Sequence, residues 1–194
     1  KIERRSYGEQ KVAGRVSLFS ALGGLSSPTE SPRPLPMEKL GQSYGYILYR
    51  SNLHPGEKIS EIRLTGANDR AQVFLGGKRL LTLYDRELQK ECAVRPAAGG
   101  AQIDILVENM GRVNYGPELE RQRKGIDGAV LLNGRGHAGW KMYPLPMNAA
   151  AMSKLDFTQG YQKGDPAFYR VPFEVETRGD TFLDLSGWGK GCVF

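Results

Sequence analysis

The stretch "AQIDILVENMGRVNYG", residues 101–116, opens as a strand and closes as something else. Ile103, Ile105 and Val107 alternate with Gln102, Asp104 and Leu106, the period of a strand buried on one face throughout and on the other in part. At Glu108 the alternation stops. Glu108, Asn109, Arg112, Asn114 and Tyr115 then crowd into a short loop with Gly111 and Gly116, whose missing Cβ lets the backbone turn sharply. A strand this apolar needs neighbours, and the chain on either side supplies them.

Upstream, "DRAQVFLGGKRLLTLY" reads as a hairpin, two apolar runs joined at Gly76 and Gly77, residues that tolerate the positive φ of a tight turn. "QSYGYILYRSNL" and "EIRLTG" carry aliphatic and aromatic residues at strand spacing around the turn "HPGEK". Downstream, "GIDGAVLLNG" and "GWKMYPLPM" are further strands. With 25 Gly and 11 Pro among 194 residues, turns come too often for long helices. Short strands separated by turn signals predict an all-β chain, a β-sandwich.

Three segments are expected. Residues 1–34 hold a lead strand, "KVAGRVSLF", and a Ser/Pro/Gly-rich linker, "SALGGLSSPTESPRPLP". Residues 35–147 form the first sandwich. Residues 148–194 begin with a short helix capped by Asn148, followed by two strands, "PAFYRVPFEVE" and "DTFLDLSGWGKGCVF", on either side of the turn "TRGD". That group is too short to close a sandwich alone; it is either a second, incomplete one or pairs back on the first. The first residue is Lys and the last strand runs to Phe194, so the chain is expected to be a portion of a longer protein.

The charge balance narrows the partners. A net charge of +6 suits an anionic partner only if the cations gather on one face, and here they interleave with acids, as in "ELERQRKGID". No basic stripe with a reading element is present, so no nucleic-acid partner is expected. No stretch reaches the roughly 20 apolar residues of a membrane helix, and "KIERRSYGEQ" has no signal-peptide core. No membrane partner is expected either. Cys92 and Cys192 match neither a disulfide framework nor a metal-ligand spacing and read as apolar filler; with His54 and His137 the only histidines, no metal site is expected. No Gly-rich phosphate loop opens a helix, and no cofactor is expected.

The loop after Val107 admits two readings. Its amides, guanidinium, carboxylate and phenol offer the paired donors and acceptors that hydroxyl-rich ligands need, with a ring to cover a sugar's C–H face. Equally, Arg112 can pair with Glu108 or another acid to brace the loop, while Asn109 and Asn114 bond local backbone. Asp69 and Arg70 read as part of an ion pair at a strand start, and Trp140 and Trp188 as packing rings. Glycoside hydrolysis needs two carboxylates flanking one bond, about 5–5.5 Å apart for retention, and nothing among the 21 acids marks such a pair. Glu118 and Glu120, beside Arg121, Arg123 and Lys124, read as a solvated surface. No catalytic residue is assigned.

Taken in order, "PMEKLGQSYGYILYRSNL", "NDRAQVFLGG", "IDILVENMGRVNYG", "RKGIDGAVLLNG", "WKMYPLPM", "PAFYRVPFEV" and "DTFLDLSGWGKGCVF" resemble the C-terminal region of the family 35 glycoside hydrolases, the β-galactosidases. The resemblance runs from about Leu35 to Phe194, and "LVENMGRVNYG" is its most specific part. It implies two β-sandwiches of galactose-binding-like or jelly-roll type that follow a catalytic (β/α)8 barrel in the same chain. In that barrel a pair of glutamates, neither of them here, removes terminal β-galactose with retention. It also implies that the loop faces the barrel, with Tyr115 at the rim of the galactoside cleft on the leaving-group side, and with Glu108, Asn109, Arg112 and Asn114 bracing the turn. The expected function is therefore that of a non-catalytic sandwich region of a β-galactosidase. The alternative is an independent carbohydrate-binding module for galactosides, a use the sandwich permits without establishing.

Overall fold

A computed structural model describes residues 5–97 and 102–194. In chain order the elements are β1 (Gly14–Ser17), α1 (Leu18–Leu25), β2 (Thr29–Ser31), β3 (Tyr46–Asn52), β4 (Ile59–Leu64), β5 (Ala67–Asn68), β6 (Arg70–Leu75), β7 (Lys78–Tyr84), β8 (Cys92–Ala97), β9 (Gln102–Glu108), β10 (Gly125–Ile126), β11 (Val130–Leu132), β12 (Arg135–Gly136), β13 (Trp140–Leu145), α2 (Ala149–Met152) and β14 (Ala167–Arg170). The chain divides into two compact units, residues 22–147 and a unit built from residues 1–21 with 148–194.

The larger unit is a β-sandwich. One sheet has the order β2-β13-β3-β9-β6-β7, the other β12-β11-β4-β8, and all the pairings are antiparallel. β9, the strand of the opening stretch, lies inside the larger sheet between β3 and β6. Its Ile103, Ile105 and Val107 join Ile47 and Tyr49 of β3 and Val73 of β6 in one core with Ile59, Ile62 and Leu64 of β4 and Val130 of β11. The pleat sends the alternate residues to the opposite face, where Leu48, Phe74 and Leu106 are also buried. That face carries Asp104, whose carboxylate sits opposite Arg50 in the β3–β9 register and takes a forked bond from it, Nε to Oδ1 at 2.6 Å and Nη2 to Oδ2 at 3.2 Å. Hairpin β6–β7 turns through Gly76 and Gly77, both at positive φ, as expected of a two-residue connection.

β3 is tied to the short strand β10 by one side chain. The Tyr49 hydroxyl donates to Leu35 O (2.9 Å) and accepts from Ile126 N (2.8 Å). Burial pushes its phenol well above the ordinary tyrosine range, so it stays a donor. Gly125 lies against it at φ +84°, and a Cβ there would collide with the Tyr49 oxygen.

Two departures from the sequence reading have simple causes. The run expected to be linker holds α1 and β2. Leu18, Ala21, Leu22 and Leu25 recur at helical spacing, and the first three are buried, a pattern that outweighs the two interior glycines. In the smaller unit only Ala167–Arg170 of the two expected strands forms, pairing antiparallel with β1. Residues 171–194 contain no strand: alternation alone does not make one without a partner for its backbone groups. The helix cap stands as read, Asn148 Oδ1 accepting from Ala151 N at 2.9 Å. Around the β1–β14 pair, Phe157 packs on Gly14 and under the Arg170 guanidinium, and Tyr169 stacks edge-on with Tyr161 and Trp188. Cys192 is exposed rather than a core filler, whereas Cys92 packs, partly buried, against the sandwich core.

Candidate functional site

Residues 109–123 leave the end of β9 and return to the sandwich at Lys124 and β10. The base of this loop is held by charge. Arg70 and Glu108, opposite each other in the β6–β9 register, form a buried pair at 3.3 Å, and Arg70 Nε also donates to the Tyr84 hydroxyl at 2.8 Å. The structure thus gives Glu108 to Arg70, not to Arg112. Arg112 pairs with Glu38, Nη1 to Oε1 at 2.7 Å, and reaches the Gln122 carbonyl at 3.4 Å.

Two carboxylates each span both legs of the loop. Asp69 accepts from Met110 N at 2.7 Å on the outgoing leg and from Lys124 Nζ on the returning leg, at 2.6 Å to Oδ1 and 2.7 Å to Oδ2. Glu38 accepts from Arg112 on the outgoing leg and from Lys124 N, at 3.0 and 3.2 Å, on the returning one. Lys124 is accordingly held at every handle, since its carbonyl also accepts from Met37 N at 2.8 Å. Its side chain is only 1% exposed, and a buried ammonium is stable only when it is paired and bonded in this way. The Asn68–Asp69 peptide that presents Asp69 is cis.

Asn109 fixes the first turn. Its Nδ2 donates to Ser43 O, its Oδ1 accepts from Gly111 N, and its own N donates to Gly45 O, all at 3.0 Å. Asn114 lies on the exposed part of the loop, and its side chain makes no hydrogen bond among the described residues. Tyr115 stands out furthest, 91% exposed. Met110 and Leu119 are exposed on the same loop, and Glu118 and Glu120 are solvated as read.

The loop's main supports, Glu38, Asp69 and Lys124, were not legible as such. Lys124 closes the basic run "RQRK" and looks like its solvated neighbours; only its return into β10 buries it. Glu38 sits in a 3-10 turn, residues 37–40, far from the loop in sequence.

Away from the loop, a concavity of about 310 Å³ is lined by Glu57, Leu132, Asn133, Arg135, Gly136 and His137. Asn133 is engaged in structure there: its Oδ1 accepts from Ser60 N, Ser60 Oγ and Glu61 N, and its Nδ2 donates to Lys58 O. His137 Nε2 lies 2.9 Å from Ser51 Oγ, and the hydroxyl is committed to the Gly139 carbonyl at 2.7 Å, so the pair is a brace and not a nucleophile with its base.

Comparison with known proteins agrees with this architecture. Residues 34–146 match the family described as "Beta-galactosidase, first all-beta domain". The chain is 35% identical over 170 residues to a β-galactosidase of Xanthomonas manihotis, covering 88% of this chain and 28% of that protein. It is 36% identical over 190 residues to human β-galactosidase-1-like protein 2, with 92% and 29% covered, and 32% identical over 238 residues to β-galactosidase 8 of rice (Oryza sativa subsp. japonica), with 100% and 35% covered. The chain spans about a third of the length of these curated relatives. The antiparallel sandwich and the extent of these matches lead to one conclusion: the chain belongs to the family 35 β-galactosidases, and residues 34–146 are the family's first all-β domain.

Proposed function

We propose that this chain is the non-catalytic sandwich region of a retaining β-galactosidase, that it braces a catalytic (β/α)8 barrel of the same polypeptide, and that its loop 109–123 brings Tyr115 to the rim of the galactoside cleft. The observation that carries this reading is a loop with a rigid base and an exposed aromatic tip. Tyr115 is almost fully exposed, while the legs beneath it are cross-tied by Glu38 and Asp69. A ring so presented offers its face to the C–H side of a sugar or aryl leaving group, and because the legs beneath it are already tied, binding has to order the side chain but not the base of the loop.

Retaining hydrolysis requires one carboxylic acid to protonate the glycosidic oxygen and a second carboxylate to attack the anomeric carbon. The three acids at the base of this loop do other work, and Glu118 and Glu120 are solvated on its surface. Glu38, Asp69 and Glu108 are each tied to a cation, Arg112, Lys124 and Arg70. On this reading the reacting pair is the barrel's, and the chain's part is support and leaving-group selection. Glu108, Asn109 and Arg112 act as braces, whereas Asn114, expected to brace the turn as well, makes no side-chain hydrogen bond among the described residues.

Two measurements test the reading. An aryl β-galactoside incubated with residues 1–194 alone is expected to show no turnover; activity that survives purification and is lost in Glu-to-Gln variants overturns it. Amide shifts of the 194-residue chain titrated with galactose or lactose are expected to show no saturable, localised change. Saturation at millimolar or tighter affinity makes the chain a carbohydrate-binding module instead.

A further inference from the structure

We propose that Lys124 is a positioning residue of the enzyme, setting through the loop where Tyr115 meets the leaving group of a galactoside. The inference rests on the rim reading of Tyr115 and adds the device that makes the rim selective. Among the described residues, Lys124 is the lysine whose side chain is sealed from solvent, and it joins the two carboxylates that cross-tie the loop. Through Nζ it holds Asp69, which holds Met110 N; through its amide it holds Glu38, which holds Arg112. The outgoing leg at residues 110 and 112 is therefore fixed against the returning leg at residue 124 by two routes that meet in one residue. Tyr115 lies three residues beyond Arg112, so the cross-tie limits how far its ring can wander.

A purely structural lysine and a positioning lysine differ in what their loss moves. Losing general stability lowers the amount of folded enzyme and affects all substrates alike. Losing the side-chain tie to Asp69, with the amide's tie to Glu38 left in place, loosens the outgoing leg at Met110 and with it Tyr115, and affects only substrates whose leaving group reaches the ring.

The test uses the enzyme that carries this chain and the ratio of kcat/KM for a β-galactoside with a bulky aryl or sugar leaving group to that for methyl β-galactoside. Lys124→Met, near in shape but uncharged, is expected to lower that ratio about tenfold, with kcat for the methyl galactoside close to wild type per folded molecule. Tyr115→Ala lowers the ratio by itself, and the double variant falls no further, because the lysine acts through the ring. Lys124→Arg, which retains a cation for Asp69, restores most of the ratio. A ratio moved by Tyr115→Ala but unmoved by Lys124→Met overturns this proposal alone, as does full additivity in the double variant. A ratio unmoved by Tyr115→Ala overturns the rim reading and this proposal with it. Should Lys124→Met fail to fold, Lys124→Gln, which keeps a donor for Asp69 without the charge, takes its place, with a smaller fall in the ratio expected and the same overturning outcomes.

Discussion

The phenol of Tyr49 joins the Leu35 carbonyl and the Ile126 amide, so its loss strands a buried amide and a half-buried carbonyl at once. Tyr49→Phe keeps the ring and is expected to destabilise the fold by about 1–3 kcal/mol, measured as a lower urea midpoint at unchanged slope. Ion pairs at this scale divide by burial. Arg70 and Glu108 are 10% and 11% exposed, and Arg70→Met leaves a buried carboxylate without its cation, at a cost of about 3–5 kcal/mol. Arg112 and Glu38 are 44% and 24% exposed, so Arg112→His is expected to cost about 1 kcal/mol or less; thermal melts of the two variants side by side check the order. His137 contributes one part of the pH dependence. Burial lowers its pKa from the ordinary 6.5, so the unfolded chain binds the proton more readily. Its contribution to stability is full above pH 6.5 and is lost as pH falls through the lowered value. Melting curves at several pH values between about 5 and 8 are expected to show a flatter acid limb for His137→Gln than for the wild type, with His54 and Glu57 unchanged in both.

At the scale of elements, the sandwich strands were legible from their alternation and their partners were not, while residues 171–194, read the same way, form no strand. β9 and hairpin β6–β7 could be read from periodicity and from the Gly76–Gly77 turn, because a period of two and a positive-φ pair are local properties. That Arg70 faces Glu108, leaving Arg112 to Glu38, depends on register and on a turn at residues 37–40. Helix α1 was hidden because Gly23 and Gly24 resemble linker chemistry, while the apolar spacing around them was the stronger signal. The loop itself makes a prediction: trypsin should cut the folded chain within the exposed part, after Arg121, and spare Lys124, whose buried side chain is out of reach. Peptide mass mapping after brief digestion distinguishes the sites.

For the whole molecule, the sandwich core lies within residues 22–147, and all of its principal members fall between Met37 and Met142. A chain restricted to residues 22–147 is therefore expected to unfold in one cooperative transition, with a melting temperature within a few degrees of that of the 194-residue chain. Calorimetry on the two lengths checks it; a broad, non-cooperative melt of the shorter one counts against an independent core. No described helix is long and apolar enough to cross a membrane.

Sequence alone determined the all-β class, the strand that centres the larger sheet, the turn and cap chemistry, and the resemblance that led to the family, since each is written in neighbouring residues. Tertiary structure decided which charges meet. Lys124 became a sealed cross-tie and Tyr115 an exposed tip only after Glu38, Asp69 and the ends of one loop, dispersed along the chain, were drawn together by a core that excludes water from one side of the loop and leaves the other side open.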